Sequence, residues 1–517
     1  MSTTVCGLIA SLTSLGGESA AANHDRFAAD LDALLRLSPA EVIDRTAYRA
    51  ALAHGFAYYF WRWDRRAEQH HAAVEYAIIR WASVDTLDVE LMCELGDFLF
   101  FLAWCFNESS TRQCQRAMRG MQAVAAAFGR GARLPPLPAS SQPVHVVWLA
   151  MFASTGDPMA MALRHVAPSL LAQRDRFRLS VVAWRFSDPG FLDLLRDIGA
   201  TCYEPKAETP GAMIDAIEAL AAADPPAIAI SDMNNAVPTA LFARRLAPVQ
   251  LFLQGGMPAW PVPYLDGVFN SFGFDAGVAG WGNARMLSFN PPWDLARLNP
   301  AEDPEQVARE RAGLPQGLRL IGNYGRLVKV TEPCLLAAER ILEFCPDVAF
   351  VTGGTGDASE LRAFIARSPV GDRMRVVEGF VPGHSWGRFL DVFLDTWPVT
   401  GGESCREMIA KGRPVVTMHS AEMPAIDLQR DPTLVVSTWR DYAETAIHLL
   451  RDPQEYAAAS TRAAALAQAM TDQAAFEVRL TGDLESILMA KRSRPTEPVQ
   501  RWIPAAISWL WNRNATK

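Results

Sequence analysis

The chain has 517 residues, of which 50% are hydrophobic and 21% are charged, so it can bury several cores and is not wholly disordered. Its formal net charge of −8 argues against a nucleic-acid partner, which requires a concentrated basic surface. No apolar run reaches the roughly 18 residues that span a bilayer, and the mildly apolar N-terminal stretch lacks the basic residues that open a signal peptide. The eight scattered cysteines form no C-x-x-C motif. A protein of the reduced cytoplasm is therefore expected.

Residues 1–133 are predicted to form an all-helical N-terminal domain. Glycine and proline are sparse there, and apolar residues recur at helical spacing, for example through 87–101. The aromatic run YYFWRW at 58–63 is expected in the core of this helix bundle, with a ligand-binding aromatic patch as the alternative. The proline-rich residues 134–143 cannot continue a helix and are predicted to be a linker.

Two α/β domains are predicted next, over residues 144–291 and 292–490. The first opens on the apolar run VHVVWLAMF at 144–152, which suits a strand buried on both faces of a parallel sheet. Helical and strand patterns then alternate through both domains, which is typical of doubly wound, Rossmann-like folds. Two such domains facing one another form a cleft, and ligands bind there at the carboxyl ends of the strands.

The tail at 491–517 is basic, interrupted by proline and rich in tryptophan. It is predicted to be a helix that crosses back to dock on the first α/β domain. Peripheral contact with a membrane surface is the alternative, because tryptophan beside lysine and arginine favours such interfaces.

The most informative segment is LDTWPVTGGESCREMIAKGRPVVT at 394–417. A strand is predicted to end at Asp395, a Gly-Gly turn follows, and a helix begins at Glu403 or Ser404. The free N–H groups and the dipole at such a helix start form an anion site, to which the Ser404 hydroxyl could add a donor. A nucleoside diphosphate would suit this site, and an ordinary strand-turn-helix is the alternative.

This segment resembles the nucleotide-diphosphate loop of the O-linked N-acetylglucosamine transferase family, glycosyltransferase family 41, which includes bacterial N-glucosyltransferases of adhesins. Three other stretches resemble family motifs in the same order: APVQLFLQGGMP at 247–258, NYGRLVKV at 323–330, and His384 ahead of DVFLD at 391–395. The resemblance implies a GT-B fold, with two facing Rossmann-like domains. The family's 34-residue tetratricopeptide period is missing here, and the helical N-terminal domain instead resembles that of the adhesin enzymes.

The resemblance also implies roles for single residues. Lys329 matches a lysine that contacts the diphosphate, where a fixed cation would stabilise the departing UDP; a solvated lysine is the alternative. Arg326 stands where the family has a glutamine near the phosphates, and His384 matches a nucleotide-side histidine. Glu407 matches an acidic residue that holds sugar or ribose hydroxyls; an ordinary helix residue is the alternative.

The predicted diphosphate contacts also include the loop itself: Thr400, Gly401, Gly402, Glu403 and Ser404. Gly402 and Glu403 replace the family's histidine and first threonine. An added carboxylate beside a diphosphate weakens binding unless it points away or pairs with Arg406 or Arg326.

Further candidates lie at other strand ends. Asp157 follows the first strand and is a candidate base or acceptor-positioning group, or simply an N-cap before a proline. Gln254 and Gly255 are predicted to face the cleft, where glycine lets backbone N–H groups approach a ligand, or else form a plain turn. Gly354 lies in a GGTG stretch that could cap the nucleotide and that matches neither a Walker loop nor a dinucleotide fingerprint.

These observations predict a UDP-sugar-dependent glycosyltransferase that moves a hexose or N-acetylhexosamine, with inversion, to Asn or Ser/Thr side chains of a protein. No cofactor and no metal are expected, because the acidic residues of the two α/β domains show no clustered D-x-D pattern. The helical domain would recruit the acceptor, for example an adhesin or a flagellin-like protein. A transferase acting on a glycan or lipid, and a non-catalytic binding protein of the same fold, are the alternatives.

Overall fold

The computed structural model describes residues 3–14, 23–60, 64–105, 110–138, 143–153, 158–186, 188–232, 235–254, 265–271, 273 and 284–493. Asp157, Gly255 and the tail from residue 494 onward, about which the sequence makes predictions, lie outside these ranges.

The N-terminal part of the chain is helical, as predicted. Within the described ranges its helices are α1 (Thr3–Ser14), α2 (His24–Leu35), α3 (Arg45–Phe60), α4 (His71–Ala82), α5 (Val89–Cys105) and α6 (Ser110–Phe128), with a 3₁₀-helix at Arg65–His70. Tyr58 and Tyr59 of the aromatic run are buried in the core, whereas Phe60 is 43% exposed. The other three residues of that run are outside the described ranges. The two tyrosines therefore fill the bundle core, as expected.

The first α/β domain contains a parallel sheet whose seven described strands are ordered β3-β2-β1-β4-β5-β6-β7. The strands are β1 (Val144–Ala153), β2 (Phe177–Phe186), β3 (Thr201–Tyr203), β4 (Ile228–Ser231), β5 (Val249–Gln254), β6 (Gly267–Asn270) and β7 (Arg285–Ser288). The helices are α7 (Pro158–Leu171), α8 (Pro189–Asp197), α9 (Pro210–Ala223) and α10 (Ala236–Ala243). Val147 and Leu149 pack toward the helical region, while Val146 and Trp148 pack on the opposite face. Burial on both faces explains the unbroken apolar run of β1.

The helical region and the first α/β domain share one apolar core. Helix α5 makes this junction, since a Cβ on Gly96 would lie 3.3 Å from the Cβ of Ala236. Two carboxylates of α5 cap helices of the α/β domain: Glu90 accepts from the Gly211 N–H at 3.0 Å, and Asp97 accepts from the Ala236 N–H at 2.7 Å. Each carboxyl oxygen accepts from a backbone N–H that has no partner within its own helix, so α5 holds α9 and α10 by their ends.

Asp97 makes the stability of this junction depend on pH. Burial raises the pKa of Asp97 to about 7, against an opposing effect of the Ala236 hydrogen bond. The folded protein therefore keeps a proton that the unfolded chain releases near pH ~4, and stability falls as the pH rises from about 4 to 7. We expect Asp97→Asn to stabilise the protein at pH ~8.5, by up to about 4 kcal/mol, and to narrow the difference in melting temperature between pH ~5.5 and ~8.5.

Thermal unfolding at the two pH values measures this effect. The matched control is Asp88→Asn, immediately before the same helix, where the carboxylate accepts from the Leu91 N–H at 3.1 Å. Some pH dependence remains in the Asp97 variant, because burial also raises the pKa of Glu94 to about 7. If the difference in melting temperature between the two pH values is the same in Asp97→Asn as in the wild type, Asp97 does not cause the pH dependence.

The second α/β domain contains a parallel sheet whose six described strands are ordered β10-β9-β8-β11-β12-β13. The strands are β8 (Arg319–Tyr324), β9 (Val348–Gly354), β10 (Met374–Glu378), β11 (Leu390–Leu394), β12 (Val415–Met418) and β13 (Val435–Val436). The helices are α11 (Leu295–Leu298), α12 (Pro304–Ala312), α13 (Glu332–Phe344), α14 (Ser359–Arg367), α15 (Gly383–Phe389), α16 (Glu403–Ala410), α17 (Pro424–Asp427), α18 (Trp439–Arg451) and α19 (Pro453–Ala469). The strand order reverses between β8 and β11, and ligands of doubly wound sheets bind at such a point.

A C-terminal helix, α20 (Gln473–Ser493), crosses back from the second domain to the first. Phe476, Leu484 and Ile487 of α20 are buried in the core on the α7 side of the first sheet. The sequence predicted the crossing helix at 491–517, whereas the helix that crosses here is Gln473–Ser493 and includes only the first three residues of that tail. Among the described helices, none combines the length and apolarity needed to traverse a lipid bilayer.

Candidate functional site

A buried carboxylate organises the segment from the end of β11 to the first turn of α16, here called the 395–404 loop. Asp395 is 1% exposed. Its carboxylate accepts from the N–H groups of Thr396 and Gly401 at 2.8 and 2.6 Å. It also accepts from the hydroxyls of Thr400 and Thr417, both at 2.7 Å. Four donors from three parts of the chain converge on one side chain, so Asp395 fixes the shape of the loop.

Helix α16 begins at Glu403, in agreement with the sequence prediction. The preceding Gly402 has φ of 60°, a left-handed conformation that glycine adopts without strain, and it has no side chain to cap the first turn. The Ser404 hydroxyl donates to the carbonyl of Tyr324 at 3.1 Å. This bond ties the start of α16 to the end of β8, the position at which the sequence predicts an anion site.

Lys329 reaches this loop from the neighbouring strand. It ends a 3₁₀-helix at Leu327–Lys329 that follows β8, and its Nζ donates to the Thr400 carbonyl at 2.9 Å. Burial lowers the pKa of Lys329 to about 8; the positive charge of Arg326 lowers it further, and the negative charge of Asp395 opposes both. The side chain is half-buried and held in place, so it is not the freely solvated lysine that the sequence left as an alternative.

Arg326 and Gly354 lie at the carboxyl ends of the adjacent strands β8 and β9. The Arg326 side chain is exposed, and it stands three positions before Lys329. Gly354 has φ of 156°, and a Cβ there would lie 1.4 Å from the carbonyl oxygen of Gly325. The ends of β8 and β9 therefore approach so closely that only glycine fits at residue 354.

Glu407 lies one turn along α16 from Glu403. The Tyr324 hydroxyl donates to Glu407 Oε2 at 2.7 Å. His384, at the start of α15, has Nδ1 3.5 Å from Nζ of Lys411. Burial lowers the pKa of His384 and of Lys411, the latter to about 8, and the Glu407 charge opposes both shifts. Glu407 and His384 thus belong to one polar group, adjacent to the 395–404 loop.

Glu403 does not leave an unpaired carboxylate in the loop. It forms one ion pair with Arg297, and a second with Arg406 at 3.5 Å. Arg406 is also held by Gln429 Oε1, at 3.1 and 2.9 Å. Pairing with Arg406 is one of the three arrangements, beside pairing with Arg326 and pointing away, that the sequence analysis named for Glu403 beside a diphosphate.

The facing edge of the first domain carries Gln254 and a residue that the sequence analysis missed. Gln254 is buried at the carboxyl end of β5. At the end of the adjacent strand, Asp232 is 5% exposed and accepts from Nε1 of Trp148 at 2.8 Å. Asp157 was selected because it is an acidic residue that follows a buried parallel strand, and Asp232 meets the same condition. Asp395 was missed as well, although the sequence placed the end of a strand there.

Among the described residues, no group of three or more His, Cys, Asp or Glu side chains is arranged to hold a metal ion. Lys329, Arg297 and Arg406 supply positive charge next to the 395–404 loop.

Comparisons with known proteins bear on the fold. No family model and no curated protein matches the sequence. Among solved structures, a mutant of the Thermobaculum terrenum O-GlcNAc transferase has a TM-score of 0.58 and 18% identity, covering 96% of this chain and 100% of that one. The chain has the GT-B fold. The predicted fold class, with two facing Rossmann-like domains after a helical region, is thereby confirmed.

Two further structures match a smaller part of the chain. HepE of Anabaena, in complex with UDP-glucose, has a TM-score of 0.49 and 15% identity, over 66% of this chain and 99% of that one. A glycosyltransferase of Rickettsia africae has a TM-score of 0.48 and 10% identity, over 67% and 99%.

Proposed function

We propose that the protein is a glycosyltransferase that uses a UDP-sugar donor and transfers a hexose or N-acetylhexosamine to Asn or Ser/Thr side chains of a protein. The main support is the position of Lys329, whose ammonium group donates to the Thr400 carbonyl beside the first turn of α16. A fixed cation and a helix N-terminus together form a site for a diphosphate. The likeness of fold to an O-GlcNAc transferase supports the proposal.

The chemistry of this site is electrostatic. When the bond between the sugar and the diphosphate breaks, negative charge grows on the departing UDP. Lys329 and the N–H groups of α16 are positioned before the reaction and stabilise that charge without reorganising, which is often the largest single catalytic effect. We propose that no metal ion is needed, since these groups supply the positive charge. Glu407 would hold hydroxyls of the ribose or the sugar, and His384 would lie beside it.

A groove next to Lys329 supports a protein as the acceptor. It has a volume of about 480 Å³ and lies between the helical region and the second α/β domain. Asp64, Arg65 and Arg66 line one wall, and Val328 and Glu360 are among the residues of the other. The Arg65–Glu360 ion pair, with an N–O distance of 2.7 Å, links the two walls. Because the helical region forms one wall of this groove, we propose that it helps to orient an acceptor segment there.

Two measurements test the proposal. The purified protein is titrated with UDP by calorimetry, and it is co-expressed with candidate acceptors whose peptides are then analysed by mass spectrometry. We expect binding of UDP and a set of hexose- or N-acetylhexosamine-modified peptides that is lost when the gene is removed. Modified glycans or lipids without modified peptides would instead identify a glycan or lipid acceptor. If UDP does not bind and no UDP-sugar is consumed, the protein is a binding protein of the same fold and the proposal is wrong.

A further inference from the structure

A histidine and an aspartate form a pair in the segment between β12 and β13, here called the β12–β13 loop (residues 419–434). Nδ1 of His419 lies 2.6 Å from Oδ2 of Asp427. The side chain of Asp427 is 19% exposed, whereas that of His419 is 48% exposed. The other ring nitrogen of His419, Nε2, has no hydrogen-bond partner among the described residues. The pair therefore leaves one ring nitrogen free, and no step of the proposed function uses it.

The pair lies beside the 395–404 loop, because contacts on both sides of it fix the β12–β13 loop there. Two residues before the histidine, the hydroxyl of Thr417 donates to Asp395 at 2.7 Å. Two residues after the aspartate, Oε1 of Gln429 accepts from Nε and Nη2 of Arg406, in the first turn of α16, at 3.1 and 2.9 Å. The pair is thus held next to the site proposed for the donor diphosphate.

The β12–β13 loop also contacts the first α/β domain. Met423 and Ile426 are buried in the apolar core that the helical region shares with that domain. A Cβ on Gly273, which follows the carboxyl end of β6, would lie 3.0 Å from the backbone N of Ala425. The pair therefore lies where the carboxyl ends of the two parallel sheets meet, and ligands of doubly wound domains bind at such ends.

A carboxylate on Nδ1 prepares a histidine to act as a general base. Because Nδ1 donates its proton to Asp427, the lone pair of the neutral ring is on Nε2. The negative charge of Asp427 then stabilises the imidazolium that forms when Nε2 accepts a proton. This chemistry suits a hydroxyl, whose oxygen keeps lone pairs for attack while its proton is removed. The nitrogen lone pair of an Asn amide is instead delocalised into the carbonyl.

The facing edge of the first domain offers a second candidate base in Asp232, which is less accessible. Asp232 is 5% exposed and accepts from Nε1 of Trp148 at 2.8 Å. A general base must come within hydrogen-bond distance of the proton that it removes, directly or through one water. The imidazole of His419 is about half exposed, so it is the better placed of the two to reach an acceptor.

We propose that His419 is the general base of the sugar transfer and that the acceptor group is a hydroxyl. This inference rests on the proposed function and narrows its acceptor to Ser or Thr side chains. Nε2 takes the proton of the hydroxyl while the hydroxyl oxygen forms a bond to C1 of the sugar. The bond between C1 and the diphosphate oxygen breaks, and its electron pair leaves with UDP. The proton on Nε2 then passes to water, which regenerates the neutral ring.

The variant His419→Asn separates catalysis from a structural role of the pair. Its amide can donate to Asp427 in place of Nδ1, and it has no counterpart of Nε2. We expect kcat to fall by about 10²–10³-fold, with little change in KM and with UDP affinity within about threefold of the wild type. Initial rates and calorimetry measure these quantities. Added imidazole should raise the rate of His419→Ala and leave that of His419→Asn unchanged.

The other outcomes overturn different parts of the proposal. If His419→Asn transfers sugar at the wild-type rate, His419 is not the base. A loss of more than about tenfold in its UDP affinity would show that His419 supports the donor site instead. A wild type that modifies only Asn side chains refutes the hydroxyl acceptor alone, whereas one that does not bind UDP refutes the proposed function as well. The matched control is His448→Asn, at an exposed histidine in the last turn of α18, which should behave as the wild type.

Discussion

Replacing Lys329 with alanine is expected to lower kcat/KM for sugar transfer by about 10²–10³-fold and to weaken UDP binding by about tenfold. The ammonium group is held on the Thr400 carbonyl, so its charge is fixed beside the diphosphate before the reaction. Because a cation contributes most where negative charge grows, the loss should be larger in kcat than in KM. Initial rates with a UDP-sugar, together with calorimetry, measure both quantities.

The pH dependence of the reaction gives a second measurement on the same residue. A lysine whose pKa is lowered to about 8 is positively charged below that pH and neutral above it. We therefore expect kcat/KM to fall as the pH rises through about 8, since this profile reports groups of the free enzyme. Lys329→Arg keeps its charge to much higher pH and should move the decline upward, even if its overall rate is lower.

Lys411 provides the control, because its pKa is also lowered to about 8 by burial. Lys411→Arg should leave the decline in place if Lys329 is responsible for it. If the pH profile shifts in the Lys411 variant and not in the Lys329 variant, Lys411 causes the fall in kcat/KM and our assignment to Lys329 is wrong. Alanine at residue 329 with wild-type transfer and UDP affinity would remove the site assignment altogether.

Local sequence patterns were sufficient to place the elements of this site. The Gly-Gly turn ahead of a helical pattern located the start of α16, and the apolar run at 144–152 identified a strand buried on both faces. Both features depend on neighbouring residues and on spacing, which a single sequence displays directly. The alternation of helix and strand then predicted the doubly wound domains for the same reason.

The contacts that organise the site depend on tertiary pairing, and the sequence does not display them. Asp395 accepts a hydrogen bond from the Thr417 hydroxyl because β11 and β12 pair in parallel. Spacing along the chain does not reveal the register of that pair. The sequence named Arg406 as a possible partner of Glu403 because it lies one helical turn away. It could not name Arg297, which reaches Glu403 only after the segment before β8 has folded onto α16.

The largest combined effect on stability and binding is expected from Asp395→Ala. Removing this carboxylate leaves the backbone N–H groups of Thr396 and Gly401 without their acceptor inside the protein, and it releases the hydroxyls of Thr400 and Thr417. A buried donor without a partner costs about 1–3 kcal/mol, so we expect the free energy of unfolding to fall by roughly 3–5 kcal/mol. Affinity for UDP should fall by at least about 100-fold, because the loop no longer holds the start of α16 in place.

Two further variants serve as controls for Asp395→Ala. Asp395→Asn keeps one oxygen for the two N–H groups, so it should retain the fold and lose only part of the UDP affinity. Asp303→Ala removes an exposed cap from the N–H groups of Glu305 and Gln306, both at 3.1 Å, and should cost about 1 kcal/mol without affecting UDP. Thermal unfolding and calorimetry on all three variants separate loss of the loop from general destabilisation. If Asp395→Ala remains folded and binds UDP as the wild type does, the diphosphate does not bind at the 395–404 loop, whatever the Lys329 variants show.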